Sequence, residues 1–151
     1  MGVRRLWIIG AGCGLAILAL LGTIPAEGDQ LIATVGKPAI VTTAPANAPA
    51  AREWAPRVVV HVTGYQPPHQ GGVRGVVKVE KPDGTEQEIG TFGVFPDAAF
   101  KADTSRPRAY SFPLPKELAT DAVKLKVEVV PDGPQATGKG AQLEVGYAEI
   151  Q

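Results

Sequence analysis

The sequence has few of the side chains from which most reactive protein sites are built. Its 151 residues include one cysteine, one methionine and two histidines. The cysteine, Cys13, lies in an apolar N-terminal run, so the rest of the chain has no thiol for a disulfide, a nucleophile or a soft metal site. A blue-copper centre needs a cysteine thiolate beside two histidines and is therefore excluded.

The chain also lacks net charge and is poor in aromatic residues. The 15 basic and 15 acidic residues cancel, so no overall field attracts a nucleic acid. Aromatic residues make up only 6% of the chain, whereas glycines number 18 and prolines 14. This composition favours short strands joined by turns over long helices. We therefore expect neither nucleic-acid binding nor a helical bundle.

The N-terminus has the pattern of an export signal. Two arginines precede an apolar run that begins at Leu6 and ends at Leu21, and small residues follow it. We predict that residues 1–28 are a signal peptide. The alternative is a membrane anchor, because the uncharged stretch is close to the length of about 20 residues that spans a bilayer. Both interpretations place the rest of the chain outside the cytoplasm, either periplasmic or secreted, or held at the membrane.

Residues 29–56 are predicted to form a tether and a linker. Alanine and proline dominate residues 44–51, a composition typical of extended, semi-rigid spacers. Two β-prone runs, residues 31–35 and 39–41, precede that spacer and form either an edge strand or part of the tether. The folded domain is predicted to span residues 57–151.

Within this domain, short β-prone runs alternate with turn signals. The runs cover residues 57–64, 75–80, 86–94, 108–114, 123–129 and 141–150. Pro82, Asp83 and Gly84 predict a hairpin between the second and third runs. Only residues 115–121 have helical character, enough for one short turn. The sequence therefore predicts an all-β fold, an antiparallel β-sandwich of about six to eight strands.

Alternation within the runs predicts which side chains face the core. A period of two is the signature of a half-buried strand. It assigns three sets of inward-facing residues: Tyr110, Phe112 and Leu114; Val123, Leu125, Val127 and Val129; and Leu143, Val145 and Tyr147.

The sequence offers weak candidates for chemistry. His61 and His69 are possible zinc or copper ligands together with a carboxylate, but no ligand spacing supports them, and an ordinary strand histidine and an ordinary loop histidine are the preferred interpretation. Ser105 and Ser111 do not lie in a nucleophile elbow. We therefore predict no catalytic residue, no metal, no cofactor and no enzymatic activity.

An aromatic segment, residues 90–101, provides the candidate binding residues. It contains Phe92, Phe95 and Phe100. The simpler interpretation places Phe92 and Phe95 in the core, with Phe100 covering its end. The alternative is that one of the three faces a partner protein, because aromatic side chains carry much of the binding energy at interfaces.

Several short motifs in this domain resemble those of a known family. They are the strand at residues 58–62, then Gly-Thr-Phe-Gly-Val-Phe at 90–95, Tyr-Ser-Phe-Pro-Leu at 110–114, a strand ending in Val-Pro at 125–131, and a last strand containing Val-Gly at 143–150. In this order they resemble the C-terminal β-sandwich domain of tyrosinases and polyphenol oxidases. The resemblance covers residues 57–151.

The resemblance implies an accessory role. In that family the sandwich packs against a helical domain whose histidines hold a pair of copper ions, and it often shields the entrance to them. This chain has no such helical domain, so oxidase activity does not carry over. We expect a non-catalytic interaction domain that docks on a separately encoded copper oxidase, or on another envelope protein, through the segment around Phe95 and Phe100. Two alternatives are a small membrane-anchored structural subunit of an envelope complex and a two-histidine metal-binding protein.

Overall fold

The computed structural model describes residues 31–43, 55–119 and 121–151. The predictions of an export signal or anchor and of most of the linker fall on residues 1–30 and 44–54, outside the described residues. The described ranges contain nine strands: β1 Ile32–Ala33, β2 Ala39–Thr42, β3 Arg57–Gln66, β4 Gly72–Glu80, β5 Glu86–Gly93, β6 Phe100–Lys101, β7 Arg108–Pro113, β8 Lys124–Asp132 and β9 Gln142–Ile150.

The strands form two antiparallel sheets, so the prediction of an all-β fold is confirmed. The five-stranded sheet has the order β1, β9, β3 and β6, with β7 also paired to β3. The four-stranded sheet has the order β2, β8, β4 and β5. Every pairing between these strands is antiparallel.

The core is made of valine, leucine and aromatic side chains contributed by both sheets. The largest fully buried side chains are Val58, Val60, Val62, Val77, Val79, Leu125, Val127, Leu143 and Val145. The alternation predicted for residues 123–129 is confirmed, because all four assigned side chains are buried. In β7, Phe112 is buried and Tyr110 packs against the core. Burial of this apolar surface is the main source of stability in a chain without disulfides in its described part.

The predicted turns are present. The Gly84 amide donates a hydrogen bond to the Lys81 carbonyl (2.9 Å), and Gly84 has a positive φ of 80°, which glycine adopts without steric cost. The hairpin between β4 and β5 therefore forms where Pro82-Asp83-Gly84 predicts it. The short helical turn is a 3-10 helix at Lys116–Leu118. No helix among the described residues is both long enough and apolar enough to cross a membrane.

The first two strands lie in the segment predicted as a tether. β1 pairs with β9 at the edge of the five-stranded sheet, and β2 pairs with β8 at the edge of the four-stranded sheet. Ala33, Ala39 and Val41 are buried in the core. Of the two alternatives for residues 31–41, the structure therefore has edge strands, and the sheets include residues upstream of Arg57.

The last strand departs from the predicted alternation at Tyr147. Val145 pairs with Val62 and Tyr147 pairs with His61, so Gly146 is an extra residue on β9. Such a β-bulge moves the following side chain to the other face of the sheet. Tyr147 is accordingly 49% exposed, and Ala148 takes the buried position instead. The prediction that Tyr147 faces the core is wrong for this reason.

Candidate functional site

The three candidate phenylalanines occupy different environments. Phe92 is buried at the inner face of β5, with its ring centroid 4.2 Å from that of Tyr110 and 5.9 Å from that of Phe112. Aromatic rings at these separations and tilts stabilise one another beyond the area they bury. Phe92 therefore joins the two sheets and is not accessible to a partner.

Phe95 lies outside the core. The chain leaves the sheet when β5 ends at Gly93, and the side chain of Phe95 is 88% exposed. This differs from the simpler interpretation of the sequence, which places Phe95 in the core. A phenylalanine side chain left in water lacks the roughly 1.5 to 3 kcal/mol of stabilisation that its burial would give. An unburied aromatic on a loop is therefore a candidate anchor for another molecule.

Phe100 is half-buried, and a cationic side chain lies over its ring. The guanidinium carbon of Arg108 lies 4.0 Å from the centroid of the Phe100 ring, a cation–π contact. Phe100 also packs against the core cluster. It therefore acts as part of the support beneath the neighbouring loop.

The loop that presents Phe95, residues 94–99, is held by two side chains from the five-stranded sheet; we refer to it as the Phe95 loop. The hydroxyl of Tyr65 in β3 donates a hydrogen bond to Asp97 Oδ1 (2.7 Å). Arg108 Nη1 in β7 donates to the carbonyl oxygen of Pro96 (3.2 Å). Both contacts are made by the two residues that follow Phe95, so the backbone beside it is held while its side chain is exposed to solvent.

The ionisation of the Tyr65 hydroxyl makes the stability of the protein depend on pH. Burial, followed by the hydrogen bond to Asp97, raises the pKa of Tyr65 well above its ordinary value of 10.0. A raised pKa means that the folded chain holds the hydroxyl proton more tightly than the unfolded chain does. The resulting stability is fully present below the unfolded pKa near 10 and is lost as the pH rises beyond it.

We therefore expect the stability difference between the wild type and Tyr65→Phe to depend on pH. At neutral pH, the variant should be less stable by about 0.5 to 1.5 kcal/mol, the usual net contribution of a hydrogen bond. Above about pH 10 this difference should shrink, because the Tyr65 hydroxyl then ionises in the unfolded wild type but not in the folded one, which favours unfolding of the wild type alone. Urea titrations across this range measure the difference. A difference that stays constant would contradict the assignment.

The structure does not bring the two histidines together. His61 stacks on Tyr147 on the outer face of the five-stranded sheet, with ring centroids 4.1 Å apart, and its Nε2 lies 3.4 Å from Glu149 Oε1. His69 lies beyond the end of β3, where its amide donates to the Lys139 carbonyl (2.9 Å). The described residues contain no group of three or more His, Cys, Asp or Glu side chains able to hold a metal ion.

Other polar candidates have protein partners. Ser111 Oγ accepts a hydrogen bond from Arg57 Nε (2.7 Å). Glu86 pairs with Lys126 across the four-stranded sheet (2.9 Å). The hydroxyl of Ser105 donates to the carbonyl of Lys101 (2.9 Å). These contacts are structural, and none joins a nucleophile to a general base.

Comparisons with known proteins add no relative from which a function transfers. No protein-family model, curated protein or solved structure matches the chain. The functional interpretation of the Phe95 loop therefore depends on its geometry. The loop presents an exposed aromatic side chain on a backbone that the sheet holds in place.

Proposed function

We propose that this protein is a non-catalytic, exported interaction domain that docks on a separate protein through the Phe95 loop. The observation that carries the proposal is the 88% exposure of Phe95 on a backbone fixed by Tyr65 and Arg108. An interface of this kind takes most of its energy from a few aromatic anchors that enter pockets on the partner.

The rigidity of the loop supports an anchor role. Ordering a flexible loop on binding costs free energy, and a loop already held in its bound shape avoids much of that cost. Here the two hydrogen bonds to Asp97 and Pro96 are present in the free chain. Phe95 can therefore contribute its apolar area to binding without first ordering the loop.

The partner that we propose is a separately encoded, tyrosinase-like copper oxidase. The proposal rests on the motif resemblance over residues 57–151, on the all-β fold of two antiparallel sheets, and on the exposure of Phe95. In the resembling family the sandwich often shields the entrance to the copper centre. Phe95 is the exposed apolar side chain with which this chain would contact such a partner.

The proposal is tested by comparing two tagged full-length chains in the native host, wild type and Phe95→Ser. We expect a copper oxidase to co-purify with the wild type, and diphenol oxidation to be measurable in that eluate. Phe95→Ser should recover at least tenfold less of both, a loss of about 1.4 kcal/mol in binding. Tyr147→Ser is the matched control, because Tyr147 is an exposed aromatic on the sheet face.

Two results would overturn the proposal. One is the absence of a copper oxidase from the wild-type eluate. The other is equal recovery of the oxidase with Phe95→Ser, which would show that the protein docks through a different surface.

A further inference from the structure

The outer face of the five-stranded sheet carries a groove of about 520 Å³, beside the Phe95 loop. Its floor is a row of four paired residues on neighbouring strands: Ile32 opposite Glu144, Glu144 opposite Gly64, and Gly64 opposite Lys101. Gly64 has no side chain, and the side chain of Glu144 lies over it. A Cβ placed there would lie 2.8 Å from Glu144 Oε2.

Polar side chains surround this floor. Gln66 and Gln142 are a cross-strand pair at one end of the groove, and Asp103 and Thr104 lie at the β6 end. Apolar surface comes from the half-exposed Ile32 and from Phe100. The volume falls within the range of about 300 to 1,000 Å³ that is typical of small-molecule sites.

Five polar side chains of the groove are available to a ligand. Within the described ranges, the side chains of Lys101, Asp103 and Glu144 make no ion pair, and those of Gln66 and Gln142 make no hydrogen bond.

The outer face of the other sheet is different. There most of the charged side chains pair with one another across or along the strands, in the ion pairs Lys78–Glu128, Lys126–Glu86, Lys126–Glu128, Lys124–Glu80 and Arg74–Asp132. Opposite charges placed in this way stabilise the sheet and leave few charged groups free to bind another molecule. The groove on the five-stranded sheet differs from that face, because its charged side chains make no such pairs with any described residue.

We infer that the groove binds a short, neutral oligosaccharide. Sugar hydroxyls both donate and accept hydrogen bonds, and the groove offers both functions through two amides, two carboxylates and an ammonium group. The C–H face of a sugar ring packs against apolar side chains, here chiefly the half-exposed Ile32, because the Arg108 guanidinium covers one face of the Phe100 ring. Charges of both signs line the groove, so neither a strong anion nor a strong cation is favoured.

The groove adjoins the Phe95 loop through Ala99, but Phe95 itself does not line it, so variants at Phe95 and in the groove test the two proposals separately. Loss of saccharide binding would leave the docking proposal standing. Loss of docking in Phe95→Ser would leave saccharide binding unchanged.

Calorimetric titration of the full chain, held in a detergent without a sugar head group, tests the inference. The probes are cellotriose, chitotriose and maltotriose. We expect at least one to bind with a dissociation constant of about 1 mM or tighter. Glu144→Gln and Gln142→Ala, both exposed on the groove, should each weaken that binding at least fivefold. Gly64→Leu should abolish it by filling the floor.

The control is Glu128→Gln, because Glu128 lies on the outer face of the other sheet. This variant should bind the trisaccharide as the wild type does. Failure of all three probes to bind would overturn the inference, as would binding that Glu144→Gln and Gln142→Ala leave unchanged. Tighter binding of a zwitterionic tripeptide such as trialanine would equally overturn it.

Discussion

Replacing Phe92 with alanine is expected to lower the free energy of unfolding by about 3 to 5 kcal/mol, the usual cost of removing a buried aromatic side chain. The Phe92 ring fills the space between β4 and β7: it contacts Tyr110 and Phe112, and a Cβ on Gly75 would lie 2.4 Å from its edge. No small side chain can replace contacts on two sides at once. The cavity left behind is therefore only partly closed by relaxation.

Phe95→Ala is the matched control for Phe92→Ala. The same atoms are removed three residues further along the chain, from a side chain that is 88% exposed. Its effect should stay within about 0.5 kcal/mol, as for most surface substitutions. Urea unfolding followed by far-ultraviolet circular dichroism measures both variants. Equal losses of unfolding free energy in the two variants, or a large loss only in Phe95→Ala, would contradict the assignment of Phe92 to the core and Phe95 to the surface.

The strand positions could be predicted because their signals are local. The alternation at residues 123–129 and the turn signal at Pro82-Asp83-Gly84 each depend on a few adjacent residues, and the structure confirms both. The exposure of Tyr147 could not be predicted in this way. It depends on the extra residue Gly146, whose role appears only when β9 is paired with β3.

The short strand β6 could not be predicted from the sequence pattern for a related reason. It has two residues, too few to show a period of two. β6 pairs with Gly64 and Tyr65 of β3, which lie far from it in sequence. Such strands form because a longer neighbour offers unpaired backbone groups, and a single sequence does not show that neighbour.

The candidate sites show the same limit. The sequence indicates an aromatic segment but not which phenylalanine is exposed, because the contacts that hold the Phe95 loop come from Tyr65 and Arg108 on other strands. The groove could not be predicted at all. Its floor consists of residues from four strands that become neighbours only through sheet pairing.

Two glycines of β5, Gly90 and Gly93, allow a test of how closely the two sheets approach each other. A Cβ on Gly90 would lie 2.6 Å from Cδ1 of the buried Phe112 ring, which belongs to the opposite sheet. A Cβ on Gly93 would meet nothing within 4 Å. Neither glycine has a positive φ, so the backbone accepts alanine at both positions.

Gly90→Ala is accordingly expected to lower the free energy of unfolding by about 1 to 3 kcal/mol, the cost of forcing an extra methyl group into a packed core. Gly93→Ala should be neutral or stabilise the protein by up to about 1 kcal/mol, because alanine restricts the unfolded chain more than glycine does. Both variants are measured by urea unfolding. The opposite signs expected for the two changes in unfolding free energy follow from one contact, the approach of Phe112 in β7 to Gly90 in β5. If Gly90→Ala were also neutral, Phe112 would have to shift freely, and the ring packing of Phe92, Tyr110 and Phe112 would not be the rigid joint between the sheets.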